Sequence, residues 1–185
     1  MNAQFLTGLD VNTPSWDLFI FLFFIIATFV YGFTLGRSRI MVLLVSTYMA
    51  LTVIHAATLP GGILGPDFGA TAGSLTVGSS PFFIVQITAF VGMMLLIFFF
   101  LSNSALRKAF AAVDVQGKAW QIIAFSLLHA GLLVASVLSF VPPERRDALL
   151  GVTKGLFATD TALFIWTIAP IIVMMFVKDP EEDGH

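Results

Sequence analysis

The fold is decided at residues 31–43, YGFTLGRSRIMVL, where Arg37 and Arg39 separate two long apolar runs. A charge at the centre of a bilayer costs several kcal/mol, and a turn at the membrane surface avoids that cost. The stretch therefore predicts a surface hairpin between two membrane helices, with both arginines as hairpin charges. The alternative is that the two charges are held inside the bilayer for a functional purpose.

The composition of the whole chain is that of a membrane protein. Of its 185 residues, 58% are apolar and 11% are charged, whereas soluble domains are roughly 25% charged. We expect one transmembrane domain over residues 1–178 and an acidic tail over 179–185. The net charge of −2 argues against a nucleic-acid partner. The absence of cysteine excludes disulfides and thiolate metal sites.

Apolar segments of the length of a membrane span recur along the chain. A hydrocarbon core of about 30 Å requires about 20 apolar residues in a helix. Segments that meet or approach this length cover residues 16–35, 40–59, 82–101, 119–141 and 156–177. They predict an all-α, polytopic bundle of about five transmembrane segments. The last segment has Asp160 near its start and Pro170 inside it, so a re-entrant or interfacial helix is the alternative there.

The distribution of basic residues predicts the orientation. Lys and Arg in short loops favour the cytoplasmic side. With the N-terminus outside, the inner loops hold Arg37, Arg39, Arg107, Lys108, Lys118 and Lys178. The outer segments then hold Arg145, Arg146 and Lys154. We therefore expect the N-terminus outside and the C-terminus in the cytoplasm.

Few ionisable or amide side chains lie within the predicted spans. A ligand or proton path would use His129, Asp160, Gln86 and His55, with His129 the deepest. The competing interpretation, which we favour, is a neutral His129 hydrogen-bonded between helices. No metal-ligand spacing, nucleophile motif or phosphate loop is present in the sequence. We expect no catalytic residues, no metal, no cofactor and no enzymatic activity.

Small residues at helical spacing indicate close helix packing. Gly32 and Gly36 form one GxxxG, and Gly131, Ala135 and Ser139 form a second small-residue ridge. Small side chains let helix backbones approach each other, within one protomer or between copies.

Two stretches, YGFTLGRSRIMVLLVSTYMAL at 31–51 and GKAWQIIAFSLLHAGLLVASVLSF at 117–140, resemble the colicin V production protein (CvpA) family. The resemblance covers residues 16–141. It implies a bacterial inner-membrane protein that supports export or envelope maintenance, and it nominates Gly32, Gly36, Arg37, Gly131 and His129. The chain departs from the family where Met41 and Val42 replace the acidic residue after the turn, and where His129 replaces a basic residue. A fifth span exceeds the usual four.

These observations leave several functions open. The first is a non-enzymatic envelope protein that contacts the lipid bilayer and acts through membrane-protein partners or as a homo-oligomer. The second is a small transporter or channel component with a polar path near His129. The third is an accessory subunit of a membrane energy-coupling complex. A membrane enzyme is disfavoured because a catalytic site needs convergent polar groups.

Overall fold

The computed structural model describes residues 16–34, 36–59, 82–104, 119–149 and 151–176, and every regular element in these ranges is helical. The four long helices that come first are α1 Trp16–Thr34, α2 Gly36–Thr58, α3 Phe82–Ser102 and α4 Ala119–Ser139. They are followed by α5 Pro143–Asp147, α6 Gly151–Thr153, a π-helical turn Lys154–Ala158 and α7 Asp160–Phe176. The all-α class expected from the sequence is confirmed.

The described part of the chain contains three or four helices that qualify as membrane spans by length and composition. Within the described residues, three helical stretches are long and apolar enough to cross a bilayer: Arg39–Thr58, Phe82–Ser102 and Trp120–Ser139. The bent segment that contains α6 and α7 makes a fourth if it counts as one span. The apolar stretch Asp17–Val30 of α1 is shorter than a span. The prediction of five is therefore not confirmed.

The arginines of the first hairpin stand at a helix end. Helix α1 ends at Thr34 and α2 begins at Gly36, so α2 starts four residues before the expected position 40. Intrahelical hydrogen bonds satisfy the backbone in a bilayer, which favours extending both helices toward the turn. Arg39 consequently lies in the first turn of α2, with its side chain exposed. We call this side of the bundle, where α2 begins and α3 ends, the Arg39 end.

Helix α4 is the centre of the bundle. It packs against α1, α2 and α7, while α3 packs against α2. The ring of Phe140, just beyond the end of α4, lies 5.5 Å from the ring of His55 near the end of α2. Helices α2 and α4 therefore run parallel. The main core between α2, α3 and α4 consists of Ala50, Leu51, Ile54, Phe90, Met94, Leu133 and Phe140.

The last membrane segment is broken near its start. The π turn ends at Ala158, Thr159 is extended (φ −100°, ψ 154°), and the two parts of the segment meet at 51°. The Thr159 hydroxyl accepts a hydrogen bond of 3.0 Å from the Ala162 backbone N–H, which is N-cap geometry. The continuous helix expected over 156–177 is thus replaced by a helix that begins at Asp160, because Thr159 caps it there.

Some sequence predictions lie outside the described residues. They concern Arg107, Lys108 and the acidic tail 179–185.

Candidate functional site

Polar side chains are buried in the helices that form the core. In α2 the hydroxyls of Ser46 and Thr47 donate to backbone carbonyls one turn earlier, at 2.7 Å and 2.9 Å. In α4 the Ser126 hydroxyl donates to the Ile122 carbonyl at 2.7 Å. Each of these hydroxyls is satisfied within its own helix. These three side chains can therefore pack in a helix interface without water or a ligand.

His129 is the deepest of the predicted path residues. It is ten residues from either end of α4, about 15 Å along the axis at 1.5 Å per residue. Its side chain is fully buried. An ionisable residue at this depth is a functional candidate because charge is costly in a bilayer.

The other predicted path residues do not approach His129 along the bundle. His55 is exposed and its ring contacts Phe140, which is eleven residues, or about 16 Å along the helix, from His129. Gln86 is half-buried on α3, a helix that packs mainly on α2. Asp160 has a side chain that is 97% exposed and lies 3.7 Å from Arg146. The described geometry thus places this carboxylate beside an arginine and not beside His129.

Gly131 of α4 packs closely against the ring of Trp166 in α7. A Cβ built on Gly131 would lie 2.2 Å from Cζ3 of the Trp166 ring. The ring is held in place because its Nε1–H donates to the Leu156 carbonyl at 2.8 Å and its face stacks on Phe157 at 5.7 Å. The absence of a side chain at Gly131 therefore creates the notch that the indole occupies.

A second link joins α7 to α2 near Pro170. Proline has no N–H, so the carbonyl of Trp166, four residues earlier, lacks its usual helical donor, and the helix is weakened there. The neighbouring carbonyl, that of Thr167, accepts a hydrogen bond of 2.5 Å from the Tyr48 hydroxyl of α2. Donors from neighbouring helices commonly compensate for proline in membrane helices. Tyr48 thus supports α7 one turn before Pro170.

The small-residue motifs have different positions in the fold. Ala135 is buried in α4, and Ser139 is half-buried with its hydroxyl donating to the Ser136 carbonyl at 2.7 Å. Gly32 lies in α1 whereas Gly36 begins α2. A spacing of four residues creates a common face only within one helix. The GxxxG at the first turn consequently does not form a ridge on a single helix.

Charged residues gather around the break before α7, at the end of the bundle opposite the Arg39 end. The Arg146 guanidinium donates to the Ala158 carbonyl at 3.1 Å and lies beside Asp160. Lys154 and Asp147 form an ion pair of 2.9 Å. The Arg145 guanidinium lies 5.1 Å from the centre of the Phe83 ring. The basic residues that the predicted topology places outside therefore have local partners.

An open cleft of about 430 Å³ lies at the Arg39 end, between the start of α2 and the end of α3. It is lined by Arg39, Phe98, Phe99, Ser102 and Asn103. The lining combines a cation, two polar side chains and two aromatic rings. From the sequence, Arg39 was interpreted as a topology charge, with a functional charge inside the bilayer as the alternative.

Trp166, Tyr48 and Arg146 were not predicted as site residues. Pro170 was the available signal for Tyr48, because its missing N–H calls for support from another helix. Nothing local in the sequence identifies Ala158 as the partner of Arg146.

No group of three His, Asp or Glu side chains in the described part of the chain is arranged to hold a metal ion. Comparison with protein-family models, curated proteins and solved structures gave no match. The fold and the buried helix contacts define the class as a polytopic α-helical membrane protein.

Proposed function

We propose that the chain is a non-enzymatic protein of the bacterial cytoplasmic membrane that supports export or envelope maintenance by binding partner membrane proteins. The sequence supports this through the resemblance of residues 31–51 and 117–140 to the CvpA family. In this proposal the helical bundle is a scaffold, and its outward helices are the contact surfaces.

The observation that carries the proposal is the contrast between α4 and α3. In the apolar window of α4, 61% of residues are buried within the protein, against 11% in α3. Helix α3 packs on α2 and leaves large apolar side chains exposed along its length: Ile84, Leu95, Leu96, Phe99 and Phe100. A helix with so few buried residues presents most of its surface to lipid or to another membrane protein.

The packing of the core also supports the proposal that the bundle is a scaffold. The buried hydroxyls of Ser46, Thr47 and Ser126 are satisfied within their own helices. Trp166 fills the notch at Gly131 midway through α4. At these positions the side chains are packed or hydrogen-bonded within their own helices, as a scaffold requires.

The proposal is tested by photo-crosslinking in native membranes. Benzoylphenylalanine is introduced at Leu96 or Phe99 on α3, and at Phe164 on α7 as an equally exposed control. We expect discrete adducts with another membrane protein from the α3 positions and none from Phe164. Mass spectrometry then identifies the partner, and an export or envelope protein is the expected result. Adducts with lipid alone at all three positions would contradict the proposal.

The same experiment addresses the accessory-subunit alternative. If the protein crosslinked at Leu96 or Phe99 is a subunit of a respiratory or other energy-coupling complex, the chain is an accessory subunit of that complex. A self-adduct would indicate a homo-oligomer.

A transporter or channel component is the second candidate, favoured by the full burial of His129 midway along a span. Its test is proton flux into proteoliposomes under an imposed pH gradient. The transport function predicts a flux that is lost in His129→Asn and retained in Ser126→Ala, the matched polar control on the same helix. Equal flux in protein-free liposomes and in wild type would eliminate proton conduction.

A further inference from the structure

We propose that the cleft at the Arg39 end binds the headgroup of an anionic phospholipid. The proposal concerns the surface of α2 and α3 and shares Phe99 with the proposed partner surface, but its test uses the purified chain without a protein partner. It assigns Arg39 a binding role in addition to its effect on topology.

The cleft lies at the level of the lipid headgroups along the membrane normal. Arg39–Thr58 and Phe82–Ser102 contain 20 and 21 residues, so each covers about 30 Å of bilayer at 1.5 Å per residue. Arg39 begins the first of these spans and Ser102 ends the second. Both therefore lie where the hydrocarbon core meets the headgroup layer on the same side of the membrane.

The charge of the cleft suits a phosphate. The acidic residues in the described ranges are Asp17, Glu144, Asp147 and Asp160, and none of them pairs with Arg39. The Arg39 side chain is exposed toward the cleft. A guanidinium matches the geometry of phosphate oxygens and binds them through paired N–H groups. Basic pockets between helix ends commonly receive anionic headgroups.

The remaining lining matches the rest of a phospholipid. Asn103 is exposed beside the cleft and carries an amide that can donate to phosphate or glycerol oxygens. The carbonyls that end α3 already accept bonds within the turn, from Asn103 N–H to Phe100 and from the Ser104 hydroxyl to Leu101. On the bilayer side, Phe98 and the 69% exposed Phe99 offer an apolar surface for the start of an acyl chain.

The test uses the purified full chain in detergent and native mass spectrometry. Phosphatidylglycerol and phosphatidylcholine with identical acyl chains are titrated against wild type, Arg39→Gln and Arg145→Gln. Arg145 is the control because it is an exposed arginine outside the cleft, at the opposite end. We expect wild type to prefer phosphatidylglycerol and Arg39→Gln to weaken that binding about fivefold, leaving phosphatidylcholine unchanged. Arg145→Gln should bind both lipids as wild type does.

Two further measurements keep the outcome decisive. Arg39→Lys keeps the charge but loses the paired N–H groups, so its phosphatidylglycerol binding should fall between that of wild type and that of Arg39→Gln. Asn103→Ala, at an exposed position, should weaken phosphatidylglycerol binding by a smaller factor than Arg39→Gln does. Inorganic phosphate in millimolar excess should leave the lipid bound, because the acyl chain contributes to binding. Displacement of the lipid by inorganic phosphate would show that the cleft binds a soluble anion and not a lipid. Equal affinity of wild type for the two lipids, or unchanged binding in Arg39→Gln, would overturn the proposal.

Discussion

The indole of Trp166 occupies the space that any side chain at Gly131 would need. A Cβ at Gly131 would lie 2.2 to 2.5 Å from three ring atoms, whereas real Cβ atoms stay beyond 3.0 Å from their neighbours. The ring has little freedom to withdraw, since it is hydrogen-bonded to Leu156 and stacked on Phe157. This contact fixes the distance between α4 and α7 midway through the bundle.

We predict that Gly131→Ala destabilises the protein by about 1–3 kcal/mol, the usual cost of overpacking a core. The added methyl group must push the ring off Phe157 or separate α4 from α7. Thermal unfolding of the purified protein in detergent measures the effect.

The control is Gly92→Ala on α3, where a new Cβ meets nothing within 4 Å. There the substitution should be neutral or stabilising by up to about 1 kcal/mol, because alanine favours the helix. When Trp166→Ala is already present, adding Gly131→Ala should cause little further loss of thermal stability. Equal changes in thermal stability in Gly131→Ala and Gly92→Ala would contradict the conclusion that the Trp166 contact sets the spacing of α4 and α7.

We predict that Tyr48→Phe lowers stability by about 0.5–1.5 kcal/mol. The change removes the hydroxyl that donates to the Thr167 carbonyl and leaves the ring in place. Thr52→Val is the control, because the exposed Thr52 hydroxyl bonds only to the Tyr48 carbonyl of its own helix. Hydrogen exchange should also report faster opening of α7 near Pro170 in Tyr48→Phe. An unchanged exchange rate there would show that Tyr48 does not support the proline region.

We predict that Arg146→Gln loosens the break before α7 and lowers the free energy of unfolding by about 1.5–3 kcal/mol, the range of a hydrogen bond made by a charged group. Arg146 holds the Ala158 carbonyl, and its side chain is only 19% exposed. Hydrogen exchange at residues 159–163 should rise in this variant. Asp160→Asn should have a smaller effect because the carboxylate is almost fully exposed and surface ion pairs contribute little.

Arg145→Gln is the matched control for this prediction, since Arg145 contacts the Phe83 ring and is exposed. It should leave exchange at residues 159–163 unchanged. A rise of equal size in both arginine variants would mean that the break responds to net charge and not to the hydrogen bond between Arg146 and the Ala158 carbonyl.

The proposed orientation is testable by single-cysteine labelling, because the chain contains no cysteine. Asn103 and Glu144 are exposed and lie at opposite ends of the bundle. With the N-terminus outside, Glu144→Cys should react with a membrane-impermeant maleimide in intact cells. Asn103→Cys should react only after the membrane is opened, and the reverse pattern would invert the topology.

Local chemistry made much of the fold predictable from the sequence. Apolar runs of about 20 residues have few alternatives to a helix in lipid, because every backbone polar group must be satisfied internally. The long helices α2, α3 and α4 consequently lie where the hydropathy placed them. The first turn was located by its arginines, although α2 extends through them.

The sequence alone therefore determined that the chain is a helical membrane protein and which segments form its long helices. Only the tertiary structure decided that the Trp166 ring packs against Gly131, that the Tyr48 hydroxyl donates to α7, and that Arg146 donates to the Ala158 carbonyl. Each of these contacts joins residues distant along the chain or separated by a bend. Helical periodicity describes the faces of one helix, whereas the partner of each face depends on how all the helices pack together.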